Sequence, residues 1–224
     1  MKEFVLSIIT LSWKDILLEL RTKDAITGIF MFSVLTAIIF NFAFAPSPTT
    51  AALVIPGVLW VSIIFAGVLG FNRSFVLEKD RGSIDGLLLC PVSRDVIYFG
   101  KVLGMFVFMT CVEIVLLPVF SVLYNVSLIN IEIVLIIVLA TLGFAGVGTL
   151  FSAMAVNTRS RDIMLPVLLF PVCIPLIIAA VEATMAILDG SESRDITRWA
   201  QLMLAFDVVF LIVPAFVFST VLEE

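Results

Sequence analysis

The sequence predicts an all-α integral membrane protein with six transmembrane helices, a leading amphipathic helix and one long polar break. Three observations predict it. Hydrophobic residues make up 62% of the 224 positions and the mean hydropathy is +1.22, beyond the range of soluble domains. Six apolar stretches succeed one another, each near the ~20 residues that a bilayer crossing needs. Eleven of the thirteen Lys and Arg residues fall in segments that share one side of the membrane, and only Arg194 and Arg198 fall on the other. Positive residues favour the cytoplasmic side, so both termini and the polar break are expected there.

Residues 1–24 read as an amphipathic interfacial helix. Val5, Ile9, Trp13, Ile16 and Leu20 recur at helical spacing, and Glu3, Ser7, Thr10, Lys14 and Arg21 lie opposite. Trp13 suits the headgroup level. Residues 25–224 form the transmembrane domain, with spans at 25–44, 51–71, 102–124, 131–156, 163–181 and 200–222. Ala43-Phe44-Ala45 has the look of a signal-peptidase site, but Pro46 would come directly after the cut, so the first span is expected to remain uncleaved. Pro46 and Pro48 turn the chain, and Asn125, Ser127 and Asn130 mark the next outer turn. Pro166, Pro171 and Pro175 in the fifth span mark either a bent gate near the outer face or a re-entrant segment.

The polar break, 72–101, holds five basic residues (Arg73, Lys79, Arg81, Arg94, Lys101) and four carboxylates (Glu78, Asp80, Asp85, Asp95). Within it, 83–89 suits a short helix: Gly82 precedes Ser83, and Pro91 closes the segment on the other side. Ile84, Leu87 and Leu88 at i, i+3, i+4 give that helix one apolar face, with Asp85 beside it. A short amphipathic helix in a loop between spans is suited to receive a push from a soluble partner. Ser93 is expected to cap the helix that enters the third span.

Three acids lie within the spans. Glu113 is near the middle of the third, where a carboxylate costs at least ~2.5–3.5 kcal/mol on insertion scales. It is either a substrate or proton site, or hydrogen-bonded to a neighbouring helix through Thr110 or a threonine on another span. Asp207 is expected about two turns into the sixth span, and Glu182 at the outer end of the fifth, both within reach of water. Gly143, Gly146 and Gly148, with Ala145, Thr149 and Ala153, make the fourth span a small-residue helix suited to close packing. Cys90, Cys111 and Cys173 form no C-x-x-C pair, and there is no histidine. The commonest haem ligand and the usual general base are therefore missing. No phosphate-cradling G-x-x-x-x-G-K-[ST] is present, and no catalytic residue or metal site is expected.

Several long strings resemble a known family, the B subunit of the cytochrome c maturation system (CcmB, haem exporter protein B). They are KDILLELRTKD at 14–24, PGVLWVSIIFAGVLGFNRSFVLEKDRGSIDGLLLCPVSR at 56–94, VEIVLLPVF at 112–120, GTLFSAMAVNTRSRDIMLPVLLFP at 148–171 and AAVEAT at 179–184. The resemblance implies an ABC-2-type permease in the bacterial inner membrane, with residues 1–24 as its elbow helix. It implies a separate ATPase, CcmA, which carries ATP and Mg, and a second CcmB copy. It also implies CcmC, CcmD and the haem chaperone CcmE, with haem held by partner subunits. Glu78, Gly82, Ser83, Ile84, Asp85, Leu87, Leu88 and Pro91 would form the coupling segment that seats in the ATPase. No cofactor on this chain itself and no nucleic-acid partner are expected. The function implied is coupling of ATP hydrolysis to release of haem-loaded CcmE. Competing classes are an ABC-2 exporter of a glycan or amphiphile, a non-transporting scaffold, and a proton-coupled carrier built on Glu113.

Overall fold

The computed structural model describes residues 2–21, 24–44, 51–80, 93–155, 158, 161–190 and 193–221. Every regular element among them is an α-helix: α1 Lys2–Arg21, α2 Asp24–Phe44, α3 Ala51–Asp80, α4 Arg94–Tyr124, α5 Ile131–Ala155, α6 Arg161–Leu188 and α7 Ser193–Val221. Five stretches, Leu53–Arg73, Arg94–Tyr124, Ile131–Ala155, Ile163–Leu188 and Arg194–Pro214, are long and apolar enough to cross a membrane. The described apolar stretch of α2, Phe30–Phe44, is shorter. Among the described residues the count is therefore five, against the six expected, and the chain is an integral membrane protein.

The helices outrun the apolar stretches that announced them. The second span was expected to end at Phe71, but α3 continues as helix to Asp80, whereas α4 begins at Arg94, directly after the expected cap Ser93 and ahead of the third span at Val102. The seventh helix likewise starts at Ser193 within what reads as a polar link. Apolarity marks where a helix meets hydrocarbon, not where its hydrogen bonds stop. Asp95 and Asp195 stand in the first turns of α4 and α7, where a carboxylate favours the helix dipole. Ser93 has the extended backbone of an N-cap, but its hydroxyl makes no capping bond. Of the three prolines of α6, Pro166 and Pro171 sit in the first half and Pro175 at the middle of one continuous 28-residue helix, which does not match the re-entrant alternative.

α5 occupies the centre and touches α3, α4, α6 and α7. Gly143, Ala145, Gly146, Gly148, Thr149 and Ala153 are all buried, so its small residues serve close approach. At Gly148 the ring of Phe71, from α3, fills the place a Cβ would take. The turn between α4 and α5 is closed by side chains suited to it. Asn125 takes the left-handed conformation (φ 52°) that ends α4, and its N–H donates to the Ser121 carbonyl. Asn130 Oδ1 accepts the Ile133 N–H at 2.8 Å, capping α5.

α1 lies along α4. Neither its apolar stripe nor the polar side opposite meets the bundle, but the side between them that carries Leu11, Ser12 and Asp15. Ser12 is 3% exposed and donates to the Gly100 carbonyl at 2.8 Å, while Val5, Ile9 and Trp13 are exposed. Gly100 permits this contact, because a Cβ there would lie 2.9 Å from that of Leu11. One turn along, Lys101 Nζ stands 2.9 Å from Asp15 Oδ2, with the two side chains 6% and 13% exposed. Lys101 is thus an internal residue of α4, not part of the polar break.

Candidate functional site

Two of the three intramembrane acids converge on α5. The Thr141 hydroxyl of α5 donates to Oε1 of Glu113, on α4, and the carboxyl is 3% exposed. Thr110 does not take this role; its hydroxyl donates to the Phe106 carbonyl one turn back. Asp207 approaches α5 from α7, and its Oδ1 lies where a Cβ on Gly143 would stand. Residues two apart on a helix point roughly 200° apart, so Glu113 and Asp207 flank α5 on opposite sides at neighbouring levels.

Asp207 departs from expectation. It was expected to reach water, yet it is 2% exposed and neither carboxyl oxygen has a hydrogen-bond partner among the described residues. The reason is the glycine opposite: without a side chain at Gly143, α5 and α7 close, and Phe206 and Leu176 complete the wall. Glu182 joins neither acid. Ala179, Ala180 and Ala183 turn the buried side of α6 inward, and Glu182 is exposed. On the inward side, Trp60 Nε1 of α3 donates to Thr184 Oγ1 at 3.0 Å.

Glu113 and Thr141 make a test of chemistry against structure. Glu113→Gln keeps a carbonyl oxygen for Thr141 and is expected to leave the thermal midpoint of the detergent-solubilised protein near that of the native chain. Thr141→Val keeps the shape, removes the donor, and is expected to lower stability by about 1–3 kcal/mol. A Gln variant that folds normally but is inactive would instead make the acid itself functional.

Beside Thr141, a cavity lined by Trp60, Met109, Phe144, Leu176 and Ala180 has a volume of about 10 Å³, room for roughly one water molecule. Of the residues expected to couple to an ATPase, Gly82, Ser83, Ile84, Asp85, Leu87, Leu88 and Pro91 lie outside the described residues, while Glu78 belongs to the last turns of α3. The two helices that bracket the segment are therefore placed, ending at Asp80 and resuming at Arg94.

Three residues that sequence reasoning left unassigned, and Lys101, which it read with the polar break, also hold this architecture. They are Ser12 and Asp15, which meet Lys101 at the α1–α4 seam, and Tyr98, whose hydroxyl reaches the carbonyls of Gly146 and Phe210. A signal for the seam was present in the Gly100-Lys101-Val102-Leu103-Gly104 string, a small-xxx-small spacing with a lysine inside it.

The family model described as CcmB protein matches residues 6–224. The chain belongs to the CcmB family. Its relatives include proteins called Heme exporter protein B. That of Bradyrhizobium diazoefficiens is 26% identical over 182 residues, covering 80% of this chain and 82% of the relative. The Haemophilus influenzae protein is 25% identical, covering 75% of this chain and 76% of its own length. For Rhodobacter capsulatus the identity is 24%, with coverage of 75% and 78%. In this CcmB-family chain the matched region takes in both flanks of the polar break, the α1–α4 seam and both buried acids.

Proposed function

We propose that this chain is the permease subunit of an ABC complex in cytochrome c maturation. It takes the push of a separate ATPase, CcmA, at the 82–91 segment and relays it across the inner membrane, so that haem-loaded CcmE is released on the outer side. The observation that carries this is the CcmB family match from residue 6 to residue 224. α2 would be the sixth span, α1 the elbow helix at the cytoplasmic surface, and CcmC, CcmD and a second copy of this chain the other membrane partners. The chain itself is non-catalytic in this account, and ATP and Mg stay on the ATPase.

The geometry suits a relay. α3 and α4 bracket the push-receiving segment, and α4 is a single 31-residue helix, about 46 Å long. At its far end the Tyr124 hydroxyl donates to the Ala37 carbonyl of α2 at 3.2 Å, which ties α4 to α2 there.

Asp85→Lys and Leu88→Glu place charge on the docking face of the 83–89 helix. In the assembled complex they are expected to dissociate the ATPase, or to stop release of haem-loaded CcmE while its loading continues. Co-purification and CcmE release are the two measurements. If both substitutions leave association and release intact, the segment is not the contact.

A further inference from the structure

Pro214 has no N–H, so the carbonyl of Phe210, one turn earlier on α7, lacks the donor that a regular helix would supply. Inside a bilayer no water is at hand to take its place. The Tyr98 hydroxyl, from α4, lies 3.0 Å from that oxygen. The same hydroxyl lies 3.2 Å from the carbonyl of Gly146 on α5. A phenol carries one proton, so these two acceptors compete for it. They are unequal, since α5 contains no proline and Gly146 keeps its helical donor. Phe210 has the greater need. The meeting of three helices at one oxygen depends on Gly146: a Cβ there would lie 3.1 Å from the Phe210 carbonyl and 3.4 Å from the Tyr98 hydroxyl. Tyr98 is fully buried, and the edge contact with Phe99, centroids 5.3 Å apart, fixes its ring.

We propose that Tyr98 is a positioning residue that holds the Pro214 joint of α7 and passes a displacement of α4 to it. While the hydroxyl is on Phe210 the joint stays in its present angle. When α4 shifts, the proton goes to Gly146, the Phe210 carbonyl is released, and α7 bends at Pro214. Tyr98 sits one turn inside α4 from Arg94, at the end of the helix that follows the 82–91 segment in sequence. Asp207 stands one turn before Phe210 on α7, so the joint also sets how closely its carboxyl meets Gly143. Only the origin of the push rests on the transducer reading above; the latch itself does not.

The test uses the full chain in lipid nanodiscs, with Cys90, Cys111 and Cys173 changed to Ser and spin labels at Leu204→Cys and Thr220→Cys, on either side of the joint. Pulsed dipolar spectroscopy on the chain with Tyr98 intact is expected to give one narrow distance distribution. Tyr98→Phe, which deletes only the hydroxyl, is expected to broaden it or add a second population. Adding Pro214→Ala restores an N–H at the joint and is expected to bring back the single distribution. Should Tyr98→Phe fail to accumulate, recovery of folded protein in the Pro214→Ala background supports the latch, and continued loss overturns it. An unchanged distribution in Tyr98→Phe, or one that Pro214→Ala does not restore, also overturns it, since the ring would then act by packing alone. No ATPase is needed, so failure here is separate from failure of the coupling test.

Discussion

Gly148→Val is expected to leave almost no folded protein in the membrane. The place of its Cβ is already occupied by the ring of Phe71, which is 1% exposed and in a tilted contact with Phe144, centroids 5.8 Å apart. Yielding would push Phe71 into a filled interior, and overpacking of this kind typically costs about 1–3 kcal/mol and occasionally more. Here the cost falls at the upper end or beyond, because a β-branched side chain cannot turn away and α5 is packed on four neighbours. Against a total stability of about 5–15 kcal/mol for ordinary domains, that is a large share. Phe71→Ala opens the space and is expected to raise the membrane level of Gly148→Val, though not to the native level, since a deleted core phenylalanine costs about 3–5 kcal/mol by itself. Quantitative immunoblots of the membrane fraction decide it. Normal accumulation of Gly148→Val would mean that α3 and α5 are not in contact at this point.

Lys101→Met is expected to lift α1 off α4. The substitution keeps the length of the side chain and strands the Asp15 carboxylate, which is 13% exposed, without the partner 2.9 Å away. Removing one member of a buried pair costs about 3–5 kcal/mol, mostly from the charge left behind. Lys14, 3.0 Å from the other oxygen of Asp15 and 37% exposed, holds the loss towards the lower figure. Asp15→Leu together with Lys101→Met removes both charges and is expected to recover much of the stability, the sign that separates a stranded charge from lost attraction. Hydrogen–deuterium exchange across α1 is the measurement. Faster exchange in Lys101→Met and slower exchange in the double variant is the expected pattern. Equal exchange in all three would show that Ser12 and the glycine contact alone seat the helix.

The class of the protein was legible because hydrophobic stretches of spanning length cannot be placed elsewhere than in a bilayer. The small-residue side of α5 was legible for a related reason: Gly143, Gly146 and Gly148 in one apolar helix serve close approach. The ends of helices were not legible, since Asn72 to Asp80 remain helical after hydropathy has stopped speaking for them. Lys101 was read with the polar break because a lysine near a loop usually belongs to it; only the partner at Asp15 reveals it as internal. Asp207 misled in the opposite direction. Its depth in sequence suggested water, but depth along a helix says nothing about which side of the helix a residue takes, and a glycine opposite closed that side. Tyr98 carried no signal until the Phe210 carbonyl was brought against it, a contact between residues far apart in the chain.

The seam between α1 and α4 has a consequence for how the chain is made. Ser12 and the carbonyl it binds at Gly100 are 88 residues apart, and Asp15 waits almost as long for Lys101. Synthesis at about 5–20 residues per second leaves the first helix without its mate for several seconds while α2 and α3 enter the membrane. A helix that must idle before Lys101 arrives, its acid held meanwhile by Lys14 alongside, does so where water reaches one side of it. Its exposed Val5, Ile9 and Trp13 give it a hold on the surface meanwhile, and the arrival of Lys101 then converts a parked segment into a fastened one, so that docking of the first helix records that the fourth has been delivered.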